Sequence, residues 1–294
     1  MARAFTLLWV LGLVVCVPVT ATAQEACDSG RGGPALATGP LQVSLLGGQL
    51  GLPRRACPRS EAFITGDLSL VAELAEFYGN IRSNAIVGGS WAITERTEVF
   101  ATFEAFRFQT VISSISAKSF GTGYLSLGAL QQIYSGEGVS LAFAGRLVLP
   151  SSTLDQNSKP LAMDLGLNLA WVGHEVVSLH AALAFAGSIG ISNGPAVPRG
   201  GVRLMVGLDI HPLRWLAIVI ELHTAFGYRG VLDLVAPGVG FRFAIRQHVG
   251  IELGAIVPVA GEERALVAGA LQLSWRFGGP TSHSQDQDDE EPTP

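Results

Sequence analysis

From Phe63 to Phe277 apolar residues recur at every second position, in runs separated by turns. In 63–74 the even positions Ile64, Leu68, Leu70, Ala72 and Leu74 are apolar, and Thr65, Asp67, Ser69 and Glu73 fall between them. Ala85, Val87, Gly89, Trp91 and Ile93 share one side of 84–93. The cleanest run is 139–149, where Val139, Leu141, Phe143, Gly145, Leu147 and Leu149 alternate with Ser140, Ala142, Ala144 and Arg146. A period of two places one face of an extended strand against an apolar medium. About twelve such strands fit, near 63–74, 84–93, 97–108, 120–133, 139–149, 161–172, 176–186, 201–210, 215–224, 234–245, 249–257 and 265–277. Their length suits the roughly 9–11 residues that a tilted strand needs to cross a bilayer.

The connections alternate in kind. Thr94–Thr97, Ser135–Gly138, Gly173–Glu175, His211–Arg214 and Arg246–His248 are tight turns, whereas 109–119, 150–160, 187–200, 225–233 and 258–264 are longer polar loops. Short turns on one side and long loops on the other, with an even strand number, belong to transmembrane barrels. Soluble sandwiches also alternate. Three features favour lipid here. The strands follow one another as an up-and-down meander. Trp91, Trp171, Trp215 and Trp275 all lie near tight-turn ends, as an interfacial aromatic belt does. The only lysines, Lys118 and Lys159, fall in the long loops. Strands in hydrocarbon must pair every backbone group, so the meander has to close. The expected fold is all-β, a closed up-and-down antiparallel transmembrane β-barrel over 61–277. Trp215 fits least well, because strict alternation places it with Ala217, Val219 and Glu221, opposite Leu216 and Ile218.

Composition agrees. The chain is 48% hydrophobic but only 15% charged, against about 25% charged in soluble domains, and outside the N-terminus no run approaches the ~20 apolar residues of a spanning helix. At the N-terminus Arg3, an apolar run from Phe5 to Val19 and Ala21-Thr22-Ala23 form the three parts of a cleavable export signal, so 1–23 is expected to be removed. Cys16 leaves with it. Cys27 and Cys57 then form an even pair in an oxidising compartment, and a single disulfide is expected. The stretch 24–60, rich in Gly, Pro and Arg, reads as an N-terminal extension or a plug in the lumen. The tail 278–294 is acidic and disordered by composition. Asp286, Asp288, Asp289, Glu290 and Glu291 carry as much negative charge as the net −5 of the whole chain, so the body is close to neutral, with no basic field for nucleic acid.

On the side opposite the apolar stripes fall Arg146, Asp164, Asn168, His180, Arg203, Asp209, Glu221, Arg242, Glu252, Gln272 and Arg276. These are the expected lumen-lining residues, since a charge facing lipid at the midplane costs about 2–4 kcal/mol. A barrel of more than about eight strands leaves a cavity or channel rather than a filled interior. Enzymatic chemistry is not expected. The six histidines are dispersed, with His174, His211 and His248 in tight turns and His283 in the tail, and Ser178-Leu179-His180 is a same-face pair. No G-x-S-x-G, Walker A loop or Cys/His metal spacing is present, so neither catalytic residues nor a cofactor is expected.

Two resemblances add to this. Leu271-Gln-Leu273-Ser-Trp275-Arg-Phe277 resembles the terminal signature of Gram-negative outer-membrane proteins, in which the Phe is normally the last residue; here 278–294 follow. That resemblance implies the outer membrane, its lipid and the barrel assembly machinery as partners. Over 63–277 the meander, Leu147-Val-Leu-Pro150-Ser and Ile251-Glu-Leu-Gly-Ala-Ile-Val-Pro258 are similar to the transporters of the phenol meta-pathway group, FadL-like in outline. It implies a passive route for small solutes, a porin-like function. A non-conducting barrel serving envelope structure or adhesion is the alternative.

Overall fold

The computed structural model describes 56–277, apart from 59, 74–77, 113–116, 137, 155–158, 175, 192–197, 214, 228–231, 247–248 and 262–264. The export signal, Cys27 and the acidic tail lie outside the described residues. Thirteen strands follow in chain order: β1 (Glu61–Glu73), β2 (Tyr78–Ala92), β3 (Thr97–Ile112), β4 (Ala117–Gly121), β5 (Leu125–Gly136), β6 (Val139–Leu149) and β7 (Lys159–His174). Then come β8 (Val177–Ile191), β9 (Pro198–Leu213), β10 (Leu216–Gly227), β11 (Leu232–Arg246), β12 (Val249–Ile256) and β13 (Ala265–Arg276). Every pairing is antiparallel, and strands pair with their neighbours in the chain except β3 with β5 and β1 with β13, where Glu61 faces Arg276 and the sheet closes. No open edge is left for a foreign strand along that seam.

β4 and β5 occupy one position in the wall. β4 pairs with the far half of β3, Arg107 to Val111, and β5 with its near half, Thr97 to Phe103. The barrel therefore has twelve wall positions, and the strand expected at 120–133 is divided. The division has a local cause. Gly123 lies against the Glu104 carboxylate, where a Cβ would overlap it, and that carboxylate accepts the Tyr124 N–H. Thr122 turns instead to the segment after β6, with the Thr153 N–H donating to its carbonyl at 3.0 Å and its own N–H donating to Thr153 Oγ1 at 2.9 Å.

The side-chain pattern is regular. In β6, Ser140, Ala142, Ala144, Arg146 and Val148 are buried inside, whereas Phe143 and Leu147 are exposed on the outer surface. Trp91 and Trp275 are each 62% exposed at the tight-turn ends of β2 and β13, and Trp91 meets Phe277 edge-on at 6.1 Å. Trp171 is half-buried. Trp215 precedes β10, escapes its register through an irregularity between Leu216 and Ile218, and stacks on Phe243 outside the barrel. Gly138 turns the β5–β6 hairpin with a φ of 76°, which a Cβ would strain.

The loops are shorter than the sequence suggested. β3 and β4 take up most of 109–119, β8 and β9 extend to Ile191 and back to Pro198, and β10 and β11 reduce 225–233 to 228–231. Lys118 and Lys159 accordingly lie in β4 and β7 rather than in loops.

Candidate lumen site

Neighbouring strands present inward side chains in register, so residues directly across the ladder sit about 4.5–5.5 Å apart at Cβ and can bond. One such row crosses four strands. Arg242 of β11 faces Glu252 of β12, which faces Gln272 of β13, which faces Thr65 of β1. Arg242 Nε donates to Glu252 Oε1 at 2.8 Å, and Thr65 Oγ1 donates to Gln272 Oε1 at 2.9 Å. One step along the strands the row resumes. Asn84 Nδ2 of β2 donates to Asp67 Oδ1 of β1 at 2.9 Å, and Asn84 faces Arg107 of β3, whose guanidinium lies 5.9 Å from the Tyr124 ring centre.

A second group spans β8 to β10. Glu221 accepts from both imidazoles, with Oε1 3.1 Å from His180 Nε2 and Oε2 2.9 Å from His223 Nε2. His180 lies over Gly207 of β9, where a Cβ would collide with its ring, so the glycine makes room for an inward imidazole. Asp209 lies between the two groups, with His180 Nδ1 3.6 Å from its Oδ1 and Arg242 Nη1 3.8 Å from its Oδ2. A third pair stands apart. Arg146 of β6 is hydrogen-bonded to Asp164 of β7, its direct neighbour across the ladder, and both are buried.

Of the eleven expected lumen residues, nine are buried on the inner side: Arg146, Asp164, Asn168, His180, Asp209, Glu221, Arg242, Glu252 and Gln272. Arg203 and Arg276 share that side and are half-buried, with Arg276 facing Glu61. The structure brings His180, Asp209, Glu221, Arg242 and Glu252 into one cluster, whereas Asn168 and Arg203 lie outside it, with alanines as their ladder partners. The sequence list omitted Glu61, Asp67, Asn84, Glu98 and Glu104, all buried on the same side. Plain alternation with Thr65 and Ser69 signals Asp67, and alternation with Val99, Ala101 and Phe103 signals Glu98 and Glu104. Arg107 is hidden by a bulge. Pairing moves from Ala85–Phe106 to Ile86–Glu104, so Ala105 is the extra residue and both Glu104 and Arg107 turn inward.

The chain ahead of β1 also enters the barrel. Ala56 and Cys57 are buried at the tight-turn end, where Ser140 Oγ donates to the Ala56 carbonyl at 3.0 Å and Gln132 Nε2 lies 3.8 Å from Cys57 Sγ. Ala56 packs with Phe100, Leu130, Ala142, Ala144 and Ala170. The expected partner of Cys57 is Cys27, outside the described residues.

No protein-family model matches the chain, and no curated protein does. Solved structures do. An outer-membrane channel from Pseudomonas putida F1 is 14% identical, with 77% of this chain and 97% of that one aligned at a TM-score of 0.55. The β domain of the Bordetella autotransporter BrkA is 10% identical, with 74% and 100% aligned at 0.50. At such identities the likeness is one of fold: the chain has the closed, twelve-position antiparallel architecture of outer-membrane β-barrels.

Proposed function

We propose that this protein crosses the bacterial outer membrane and gives small solutes a passive route through its lumen. The observation that carries this reading is the division of the wall, with Leu, Val, Phe and Trp exposed on the outside and acid, base and amide groups on the inside of adjoining strands. The outer stripe fits a lipid environment, and a barrel of this size encloses more than its own side chains fill. The channel from Pseudomonas putida F1 supports the reading by fold. A finer placement among the FadL-like, phenol meta-pathway transporters rests on the sequence resemblance alone. Export through 1–23, a Cys27–Cys57 disulfide and a gate formed by 24–60 belong to the same proposal. The buried positions of Ala56 and Cys57 favour a segment that narrows the tight-turn mouth.

The test is conductance of the purified protein in planar bilayers, beside sugar uptake by proteoliposomes, for the full chain and a form lacking 24–55. We expect small openings from the full chain and larger ones from the shortened form. Equal conductance of the two removes the gate. Silence from both removes the route and leaves the non-conducting envelope barrel.

A further inference from the structure

Asp209 joins two groups of carboxylates. Arg242 lies beside Asp209 and bonds to Glu252, while the two imidazoles bond to Glu221. Asp209 is 0% exposed, and neither of its carboxylate oxygens has a hydrogen-bond partner. His180 Nδ1 and Arg242 Nη1, at 3.6 and 3.8 Å, stand beyond hydrogen-bond reach. Glu252 Oε2 is also without a partner, as are both terminal nitrogens of Arg242. Buried acceptors left unmatched are costly, and a native site that keeps them calls for a bound group or water.

The row next to Arg242, Glu252 and Gln272 consists of Gly240, Gly254 and Ala270, in direct register across β11, β12 and β13, and Val219 of β10 stands between Gly240 and Asp209. Beside Glu252 the row presents nothing larger than a methyl group. Among the described residues no three His, Cys, Asp or Glu side chains converge closely enough to hold a metal ion. Carboxylate oxygens of this kind accept from charged N–H donors, which bond at about 2.7–2.9 Å and can take both oxygens of one carboxylate.

We propose that Asp209 and Glu252 bind the ammonium or guanidinium group of a small organic cation within the lumen. This rests on the reading of the lumen as a solute route, and it names the class of solute. Arg242 is bonded to Glu252 through Nε and holds that carboxylate in place, leaving Oε2 for the ligand.

Agmatine, which carries one guanidinium and one ammonium group and no carboxylate, is a suitable probe, with glutarate and sorbitol as controls. Titration calorimetry uses the full chain in detergent, its folding checked by the heat-dependent shift on a gel. Agmatine should bind, with glutarate and sorbitol silent. Asp209→Asn and, independently, Glu252→Gln should each weaken agmatine at least tenfold, and Asn168→Ala should leave it unchanged. If agmatine fails to bind, if glutarate binds more tightly, or if both carboxylate variants bind agmatine as the parent does, the proposal is overturned. Conductance without agmatine binding overturns this site alone, and agmatine binding without conductance overturns the route alone.

Discussion

Leu271 offers a direct test of what the outer surface touches. Its side chain is 55% exposed on the outer side of β13, four residues before Trp275 at the tight-turn end. Four residues at ~3.3 Å each, on a strand tilted by ~40°, descend about 10 Å from the aromatic girdle, close to the middle of an apolar band ~25 Å tall. In water, Leu271→Arg at so exposed a site would change stability by no more than about 0.5 kcal/mol. In lipid it should cost about 2–4 kcal/mol, a shift of about 30- to 700-fold in the folding equilibrium. Leu273→Arg, only about 5 Å below the girdle by the same arithmetic, should cost visibly less. Reversible urea titration of the protein folded into lipid vesicles, followed by Trp fluorescence, measures both. Equal stability of the parent and Leu271→Arg, or a larger loss from Leu273→Arg, would refute a hydrocarbon environment for this face.

Three further expectations concern the inside. Asp164→Ala should destabilise by about 3–5 kcal/mol, because it strands the buried Arg146; Arg146→Met with Asp164→Leu should recover most of that in the same titration. Gly207→Ala would place a methyl group where the His180 ring lies and should cost about 1–3 kcal/mol. Most of that loss should vanish when His180→Ala is added, a coupling that a double-mutant cycle reads and that additive losses would contradict. Ser140→Ala removes the bond to the Ala56 carbonyl, at a cost of about 1 kcal/mol. Hydrogen exchange at Cys57 should then quicken while β6 stays protected, and unchanged exchange would mean that this bond does not hold the segment.

The parts of the fold legible in the sequence are those that cross the apolar belt. β6 could be read residue by residue because hydrocarbon on one side and a polar lumen on the other force a period of two. The far ends of β3, β8 and β10 could not, because the glycine, proline and polar residues around them read as turns although the ladder runs on. For that reason Lys118 and Lys159 were assigned to loops although the ladder includes them. Irregular positions hid the rest. The bulge at Ala105 reverses the register that would point Arg107 outward, and the break at 122–124 depends on a contact between Gly123 and Glu104, distant in pattern though near in sequence. The lumen cluster was legible as a list of inward residues. Which members meet was not, since that follows from the stagger between strands that no single strand records. The burial of Ala56 and Cys57 likewise has no periodic signature.

The polar lumen rows are not something the fold requires. Lipid dictates the outer face, but nothing comparable dictates acid–base pairs inside, and a well-packed apolar replacement of a buried ion pair is often neutral or stabilising. This chain does use apolar inward residues in two places: Phe100, Leu130, Ala142, Ala144 and Ala170 gather around Ala56, and Val219, Leu234 and Ile256 cluster on β10 to β12. Across β11, β12, β13 and β1 it instead presents Arg242, Glu252, Gln272 and Thr65, with glycines and alanines in the next row. A wall built only to close would have had no use for unmatched buried oxygens. Channel and autotransporter domain share this wall, so the fold cannot choose between them, and the choice falls to the groups it encloses. Under the proposed route, the unmatched atoms of Asp209, Arg242, Glu252 and the facing His180, gathered on one side of the lumen among the described residues, suit a small, hydrogen-bonding visitor.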